Sequence, residues 1–198
     1  VLVSGFNSRM VSRRNVPTTY DGFLDGRLKG QMAINTNNPY ALVGMVSLRG
    51  EEQGVAYIRK LAQQSLRPVQ GFTHMVNLLA AGEYPIALMS QVTKIEEMKE
   101  KGAPIDWVSN TPNFSTVGAY AISRTPPHPV AARLLIDFVL SEQGQKVLGR
   151  TAKLPMRRGV PTLSKSIDRL LESGNLHAIK DARDLLFRLT EMETLEHG

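Results

Sequence analysis

Short apolar runs alternate with amphipathic stretches between residues 32 and 108. Met32–Asn35, Pro85–Met89 and Ile105–Val108 have the length and continuous hydrophobicity of buried strands. Between them, a helical pattern opens at Glu51, and a second runs from about Thr73 to Ala81 and stops at Gly82. Strands that alternate with helices predict an α/β fold, in which helices cover the faces of a sheet.

Side chains at the predicted helix starts suggest caps. Asn38 can cap a helix whose first residue is Pro39. Thr93 and Glu96 have the spacing of a capping box, which predicts a further helix closing at Gly102. A last strand is expected at Val117–Ile122.

The pattern becomes helical beyond Ser123. A proline-rich turn at 125–129 leads into one amphipathic helix, and Ser141 is expected to cap a second that runs through Val147. Two further helices fit Leu163–Leu171 and Ala182–Glu191. We therefore expect a helical carboxy-terminal tail.

The composition is that of a folded globular protein. Of 198 residues, 42% are hydrophobic and 21% are charged, and 24 Lys and Arg against 18 Asp and Glu give a net charge of +6. The absence of cysteine excludes disulfides, thiolate nucleophiles and cysteine metal ligands. The excess of positive charge makes nucleic acids, anionic membranes and anionic ligands candidate partners.

Most of that charge lies between Arg150 and Arg169, where six cations oppose the single carboxylate of Asp168 and give +5. The window contains no aromatic residue and is broken by Pro155 and Pro161. Nucleic-acid binders usually combine cations with stacking aromatic side chains, so a solvated loop is favoured. A nucleic-acid binder stays open as a rival, and it would bind with a steep salt dependence.

No apolar stretch is long enough for a membrane helix. The amino end, Val1–Phe6, has neither an initiator Met nor a preceding basic region, so it is not an intact signal peptide.

Polar, uncharged side chains follow the predicted strands. Thr36 and Asn37 come after the first strand, Thr73 starts a helix, and Ser90 and Gln91 follow a buried strand. Ligands of open α/β sheets bind at the carboxyl ends of the strands, where helix amino-termini favour anions. These residues predict reversible capture of a small ligand by hydrogen bonds.

Catalytic patterns are weak. Of four histidines, only His74 lies beside the expected crevice, and none has metal-ligand spacing. Asp21 and Asp25 have the character of turn residues. No nucleophile elbow, phosphate loop or dinucleotide fingerprint is present. The sequence predicts a protein that is not an enzyme and that has no metal and no cofactor.

Five ordered phrases resemble the extracellular solute-binding proteins of ABC importers, specifically the ferric-iron, polyamine and thiamine group with the type II periplasmic-binding fold. The phrases are Leu28–Ile34 (LKGQMAI), Ala80–Ile86 (AAGEYPI), Lys101–Ile105 (KGAPI), Ser141–Gln145 (SEQGQ) and Leu154–Arg157 (LPMR).

The resemblance implies two lobes joined by crossover strands. Residues 1–19 would form the first crossover and hinge segment, 20–117 the second, ligand-binding lobe, 118–125 the second crossover strand, and 126–198 a helical tail returning toward a first lobe that is largely missing. It also implies a substrate-binding component located in the periplasm or another extracytoplasmic space. That component would partner ABC permease subunits, bind no nucleic acid, and meet the membrane only through the permease.

By the same resemblance, six residues border the ligand cleft: Thr36, Asn37, Phe72, Thr73, Ser90 and Gln91. Ferric-binding members carry two adjacent tyrosines where this chain has Val92 and Thr93. Iron held by a tyrosine pair is therefore disfavoured, and a small organic or oxyanionic solute is expected. The alternative is the effector-binding domain of a cytoplasmic LysR-type regulator, which shares the fold.

Overall fold

The computed structural model describes residues 1–37, 39–115, 119–150 and 153–179. They divide into two compact units. The first contains the described residues up to 115 together with 175–179, and the second contains those from 119 to 174.

A five-stranded sheet forms the centre of the first unit, with the strand order β3-β2-β4-β1-β5. The strands are β1 (Leu2–Asn7), β2 (Met32–Asn35), β3 (Arg67–Val69), β4 (Ile86–Gln91) and β5 (Ile105–Val108). β2 pairs in parallel with β3 and β4, whereas β1 runs antiparallel to both β4 and β5. Residues 2–7, expected in a hinge segment, thus form a wholly buried inner strand of this sheet.

Four helices complete the α/β pattern: α1 (Tyr40–Arg49), α2 (Glu51–Ala62), α3 (Phe72–Ala81) and α4 (Val92–Glu100). α3 and α4 lie close to one face of the sheet at Gly5, where a Cβ atom would come within 2.8 Å of Ile95 and 3.1 Å of Leu79. Gly82 ends α3 in the left-handed conformation, φ 85°. The predicted alternation of strands and helices is confirmed.

An aromatic core lies in the first unit beneath α1 and α2. Tyr20 and Phe114 stack with ring centroids 5.0 Å apart, and a Cβ atom on Gly44 would meet the Phe114 ring at 2.7 Å. Tyr57 donates its hydroxyl hydrogen to the Tyr20 carbonyl at 2.7 Å. The ring stack thus anchors the segment before β2 to both helices.

A small parallel sheet joins β6 (Asn113–Ser115) to β7 (Leu176–Ala178). Neither strand was predicted, because three residues are too few to show an alternating pattern and the pairing spans about sixty positions of chain.

The second unit contains α5 (Pro129–Leu140), α6 (Glu142–Arg150) and α7 (Lys165–Glu172). Ser141 accepts the Gly144 N–H at 3.1 Å and so caps α6 as predicted. The buried Gln145 donates to the Val139 carbonyl at 2.8 Å and accepts from the Met156 N–H at 2.6 Å. Gln145 therefore joins α5, α6 and the loop after α6.

The twelve residues of α5 include no buried position. Its exposed large apolar side chains are Val130 (71%), Leu134 (64%), Leu135 (62%), Phe138 (47%) and Leu140 (57%). An apolar helix with this much exposed surface has the character of a contact surface.

Two local predictions are wrong. Of the strand expected at Val117–Ile122, residues 119–122 form no strand, and residues 117 and 118 lie outside the described residues. Thr93 is buried inside α4, whose N-cap is Gln91, and Glu96 bonds to Trp107; these two residues form no capping box. The predicted cap Asn38 and the helix Ala182–Glu191 lie outside the described residues.

All six cations of the basic window between Arg150 and Arg169 have exposed side chains in the second unit: Arg150, Lys153, Arg157, Arg158, Lys165 and Arg169. Within the described ranges, no helix has the length and apolarity to cross a membrane.

Candidate functional site

The carboxyl ends of three neighbouring parallel strands meet at one edge of the five-stranded sheet. The pairing of Asn35 with Val69 aligns the ends of β2 and β3, and that of Ile34 with Leu88 aligns β4 beside them. α1, α3 and α4 begin just after these strand ends. The fold therefore brings three strand–helix connections to this one edge, which we call the ligand edge: the loop after β2, residues 70–71, and the last β4 residues Ser90 and Gln91, which lead directly into α4.

Asn35 joins two of these loops. Its side-chain oxygen, buried at the end of β2, accepts the Asn37 N–H at 3.1 Å and the Gly71 N–H at 2.9 Å. The Thr36 N–H donates to the Val69 carbonyl at 2.9 Å. Sequence reasoning did not select Asn35; the signal for it is the local turn in which an Asn side chain accepts the N–H two positions on.

Four of the predicted residues present surface at this edge. Thr36 and Asn37 are exposed beside Asn35, and Thr73 is exposed in the first turn of α3. Phe72, the first residue of α3, is half-buried against the apolar core. The structure brings these residues to the ligand edge, as the strand–helix order predicts.

Ser90 and Gln91 have different surroundings. Gln91 is half-buried at the end of β4. Ser90 is wholly buried, and its hydroxyl has no hydrogen-bond partner. It pairs with Val3, which lies on the same sheet face as Gly5, so its side chain points toward the α3 and α4 side.

A bulge in β4 produces this arrangement. Met89 has a positive φ of 48°, and the pairing with β1 shifts register at this point. A positive φ is unfavourable for a residue with a side chain, and such bulges often stand beside functional sites. The bulge places Ser90 and Ala87, three positions apart, on the same face.

Three helices start at the ligand edge, and their amino-termini have neither a capping side chain nor an acidic side chain. Pro39, Gly71 and Gln91 are the N-caps of α1, α3 and α4, and none makes a side-chain cap hydrogen bond. No acidic residue lies in the first turn of these helices.

Elsewhere the first turns carry acids: Glu51 and Glu52 in α2, Glu142 in α6 and Asp168 in α7. Only α5, among the described helices, likewise lacks both features. The Val92 N–H at the start of α4 donates to the Val1 carbonyl at 3.2 Å, so α1 and α3 offer the N–H groups and partial positive charge that suit an anionic group.

The hydroxyls of three buried tyrosines in the first unit donate to backbone carbonyls. Tyr20 donates to Pro112 at 2.7 Å, Tyr57 to Tyr20 at 2.7 Å and Tyr84 to Met75 at 2.6 Å. Burial raises the pKa of each of these three phenols above its ordinary value, which opposes the phenolate form that ligates iron. Among the described residues, no three His, Cys, Asp or Glu side chains gather into a metal site.

Residues 1–183 match the family model described as bacterial extracellular solute-binding protein. The fold also matches solved structures. The periplasmic binding protein P5PA has 24% identity and a TM-score of 0.65, with 84% of this chain and 55% of that one covered.

AfuA from Actinobacillus pleuropneumoniae, solved with exogenous fructose-6-phosphate, has 20% identity and a TM-score of 0.68, with 96% and 65% covered. Iron-bound HitA from Pseudomonas aeruginosa has 20% identity and a TM-score of 0.67, with 93% and 64% covered. The chain thus spans between 55% and 65% of the lengths of these three proteins.

Proposed function

The chain belongs to the bacterial extracellular solute-binding protein family, and we propose on that basis that it is part of the substrate-binding component of an ABC importer. Members of this family are periplasmic or extracytoplasmic binding proteins rather than enzymes. We place this chain in the same compartment and give it the same non-enzymatic role, with ABC permease subunits as its partners. The LysR-type alternative finds no support, because the family match is to solute-binding proteins.

The ligand is a small organic or inorganic oxyanion held at the ligand edge. The observation that carries this proposal is the set of three helix amino-termini that converge there without a capping or acidic side chain. The backbone N–H groups of α3 would bind the anion, and Thr36, Asn37, Thr73 and Gln91 would supply further hydrogen bonds. Phe72 would provide an apolar wall.

Ser90, also expected in this set, has a wholly buried hydroxyl without a partner that points toward α3 and α4, so it supplies no surface to a ligand in this structure. Iron held by a tyrosine pair is disfavoured, because Val92 and Thr93 occupy the corresponding positions and both are buried at the start of α4. HitA is an iron-bound protein and AfuA a fructose-6-phosphate-bound one. A test must therefore include both ligand classes.

From the same family membership we propose the domain arrangement: residues 20–117 form the second lobe together with β1 and β7, which pair with strands inside it. Residues 176–178, expected in the helical tail, instead form β7 beside β6. Residues 118–125 would lead to a first lobe, and α5, α6 and α7 would pack against that lobe. The unburied apolar side chains of α5 support this, since such a surface is stabilised when another apolar surface covers it.

The test is a thermal-shift and titration screen of the protein at its native length against oxyanions, sugar phosphates, cations and ferric citrate. A ligand that binds the folded state raises the apparent stability. We expect an oxyanion to stabilise the protein and Thr73→Asp to weaken its binding at least about tenfold, because a carboxylate in the first turn of α3 repels it.

Ser166→Asp is the matched control, since Ser166 is the exposed second residue of α7 as Thr73 is of α3. It should leave affinity unchanged. Stabilisation only by ferric ion or by cations, with Thr73→Asp neutral or favourable, would contradict the proposal.

A further inference from the structure

A groove in the first unit lies between the segment 12–19 and the end of β5. Two backbone-directed contacts hold the segment: Arg13 Nη1 donates to the Trp107 carbonyl at 3.1 Å, and the Thr111 N–H donates to the Thr18 carbonyl at 3.0 Å. These contacts attach the segment to β5 and to the loop that follows β5.

The polar side chains that line this groove are all potential hydrogen-bond donors: Ser12, Arg13, Arg14, Thr18, Thr19 and Ser109. Its apolar lining is supplied by Val16, Pro17 and Val108, and the lining contains no carboxylate. Four hydroxyls and two guanidinium groups around an apolar floor match the acceptor oxygens of an oxyanion.

The two arginines have different surroundings. Arg13 also pairs with Asp106 Oδ2 at 3.3 Å, and Asp106 in turn pairs with Lys99 at 2.8 Å. Asp106 is thus the acidic neighbour of the groove, and two cations already share its charge. Arg14 is exposed and makes no ion pair within the described residues, so its charge is available to a ligand.

Ser109 presents its hydroxyl hydrogen for donation. Its oxygen accepts the side-chain N–H groups of Asn113 at 2.8 Å and Asn175 at 3.3 Å. With those contacts made, the hydroxyl hydrogen has only a long contact of 3.4 Å to the Asn110 carbonyl. A neighbouring anion would give it a shorter acceptor.

We propose that this groove is a second anion site, which binds a tetrahedral oxyanion such as phosphate or the phosphoryl group of a small molecule. It is separate from the ligand edge at β2, β3 and β4, because β1 stands between β4 and β5 and puts the groove about 10 Å or more across the sheet. The site does not depend on the proposed transport function.

Amide chemical shifts of the protein, followed during titration with phosphate and with sulfate, test the site. Sodium chloride holds the ionic strength constant and serves as the reference anion, since net charge alone binds chloride as well. We expect saturable shifts at residues 12–19 and at Ser109, and at least about threefold weaker phosphate binding in Arg14→Gln.

Two variants distinguish phosphate binding at the groove from binding elsewhere on the protein. Arg158→Gln removes an exposed cation from the second unit and should leave phosphate binding at the groove unchanged. Thr73→Asp should weaken binding at the ligand edge at least about tenfold and leave binding at the groove unchanged, so either proposal can fail without the other. The groove proposal is overturned if the 12–19 amides do not shift, or if Arg158→Gln weakens binding as much as Arg14→Gln.

Discussion

Asn35 accepts the backbone N–H of Gly71 at 2.9 Å, and this hydrogen bond joins the end of β2 to the residue that precedes α3. The same oxygen accepts the Asn37 N–H. One buried amide therefore determines how two of the three loops at the ligand edge are arranged.

Replacing Asn35 with Leu should destabilise the protein by about 1–3 kcal/mol, because two backbone N–H groups lose a buried acceptor. Urea unfolding measures the change, and hydrogen exchange should show faster exchange of the Gly71 amide. Asn35→Asp keeps the acceptor oxygens beside two helix amino-termini and should retain most of the stability. Equal losses in both variants would count against this role of Asn35.

Trp107 and Glu96 form a buried pair in which the indole Nε1–H donates to the carboxylate at 2.5 Å. Glu96→Leu should cost about 1–3 kcal/mol, since the buried indole N–H then has no acceptor. Trp107 is the single tryptophan of the chain, so a change in emission comes from this side chain and its surroundings. The control is Glu100→Gln, on the same helix but exposed, which should change neither stability nor emission.

Gly54 lies where α2 crosses α1. A Cβ atom there would lie 2.6 Å from Val46 Cα and 2.9 Å from the Met45 carbonyl oxygen, and backbone atoms cannot move aside as a side chain can. Gly54→Ala should therefore lower stability by about 1–3 kcal/mol despite the better helix propensity of alanine. Gly26→Ala, whose Cβ would meet nothing within 4 Å, should stay within about 0.5 kcal/mol of the parent in thermal unfolding.

Asp25 and Arg27 form an exposed ion pair with a shortest distance of 2.6 Å. The hydrogen bonds from Arg27 lower the pKa of Asp25 from 3.8 to about 2. A depressed folded-state pKa contributes stability above the unfolded pKa, and this contribution is lost as pH falls from about 4 to about 2. Arg27→Gln should return the Asp25 pKa toward its ordinary value, as measured by carboxyl carbon shifts during acid titration. An unchanged midpoint would show that the Arg27 side chain is not the cause, since the backbone N–H of residue 27 stays in place.

Local pattern was enough to predict most of the first unit. Met32–Asn35 is a strand with the predicted bounds, and α2 opens at Glu51 as predicted. α3 ends before Gly82 as predicted but begins at Phe72, one residue before the expected start. The strand and both helices depend on hydrophobic spacing, and the end of α3 depends on a terminating glycine; both signals act within a few residues. The sequence pattern does not predict the short strands β6 and β7, because each is stabilised by pairing with the other strand, which is distant along the chain.

Thr93 illustrates why a local motif can mislead. The Thr-x-x-Glu spacing of a capping box is present, but burial of Thr93 against the sheet and the Glu96–Trp107 hydrogen bond use these side chains elsewhere. The hydrogen bond between Glu96 and Trp107 joins positions eleven residues apart, and such tertiary contacts outweigh the stability, on the order of 1 kcal/mol, that a cap contributes.

The sequence by itself determined the α/β class, the resemblance to solute-binding proteins and the polar residues after the strands, because hydrophobic period and short phrases are local properties. The tertiary structure alone decided that Asn35 ties two loops together and that Ser90 points beneath α3 and α4. It also decided that Arg13, Arg14 and Ser109 line one groove. These relationships depend on strand order and on the bulge at Met89, and no local pattern encodes which strands become neighbours.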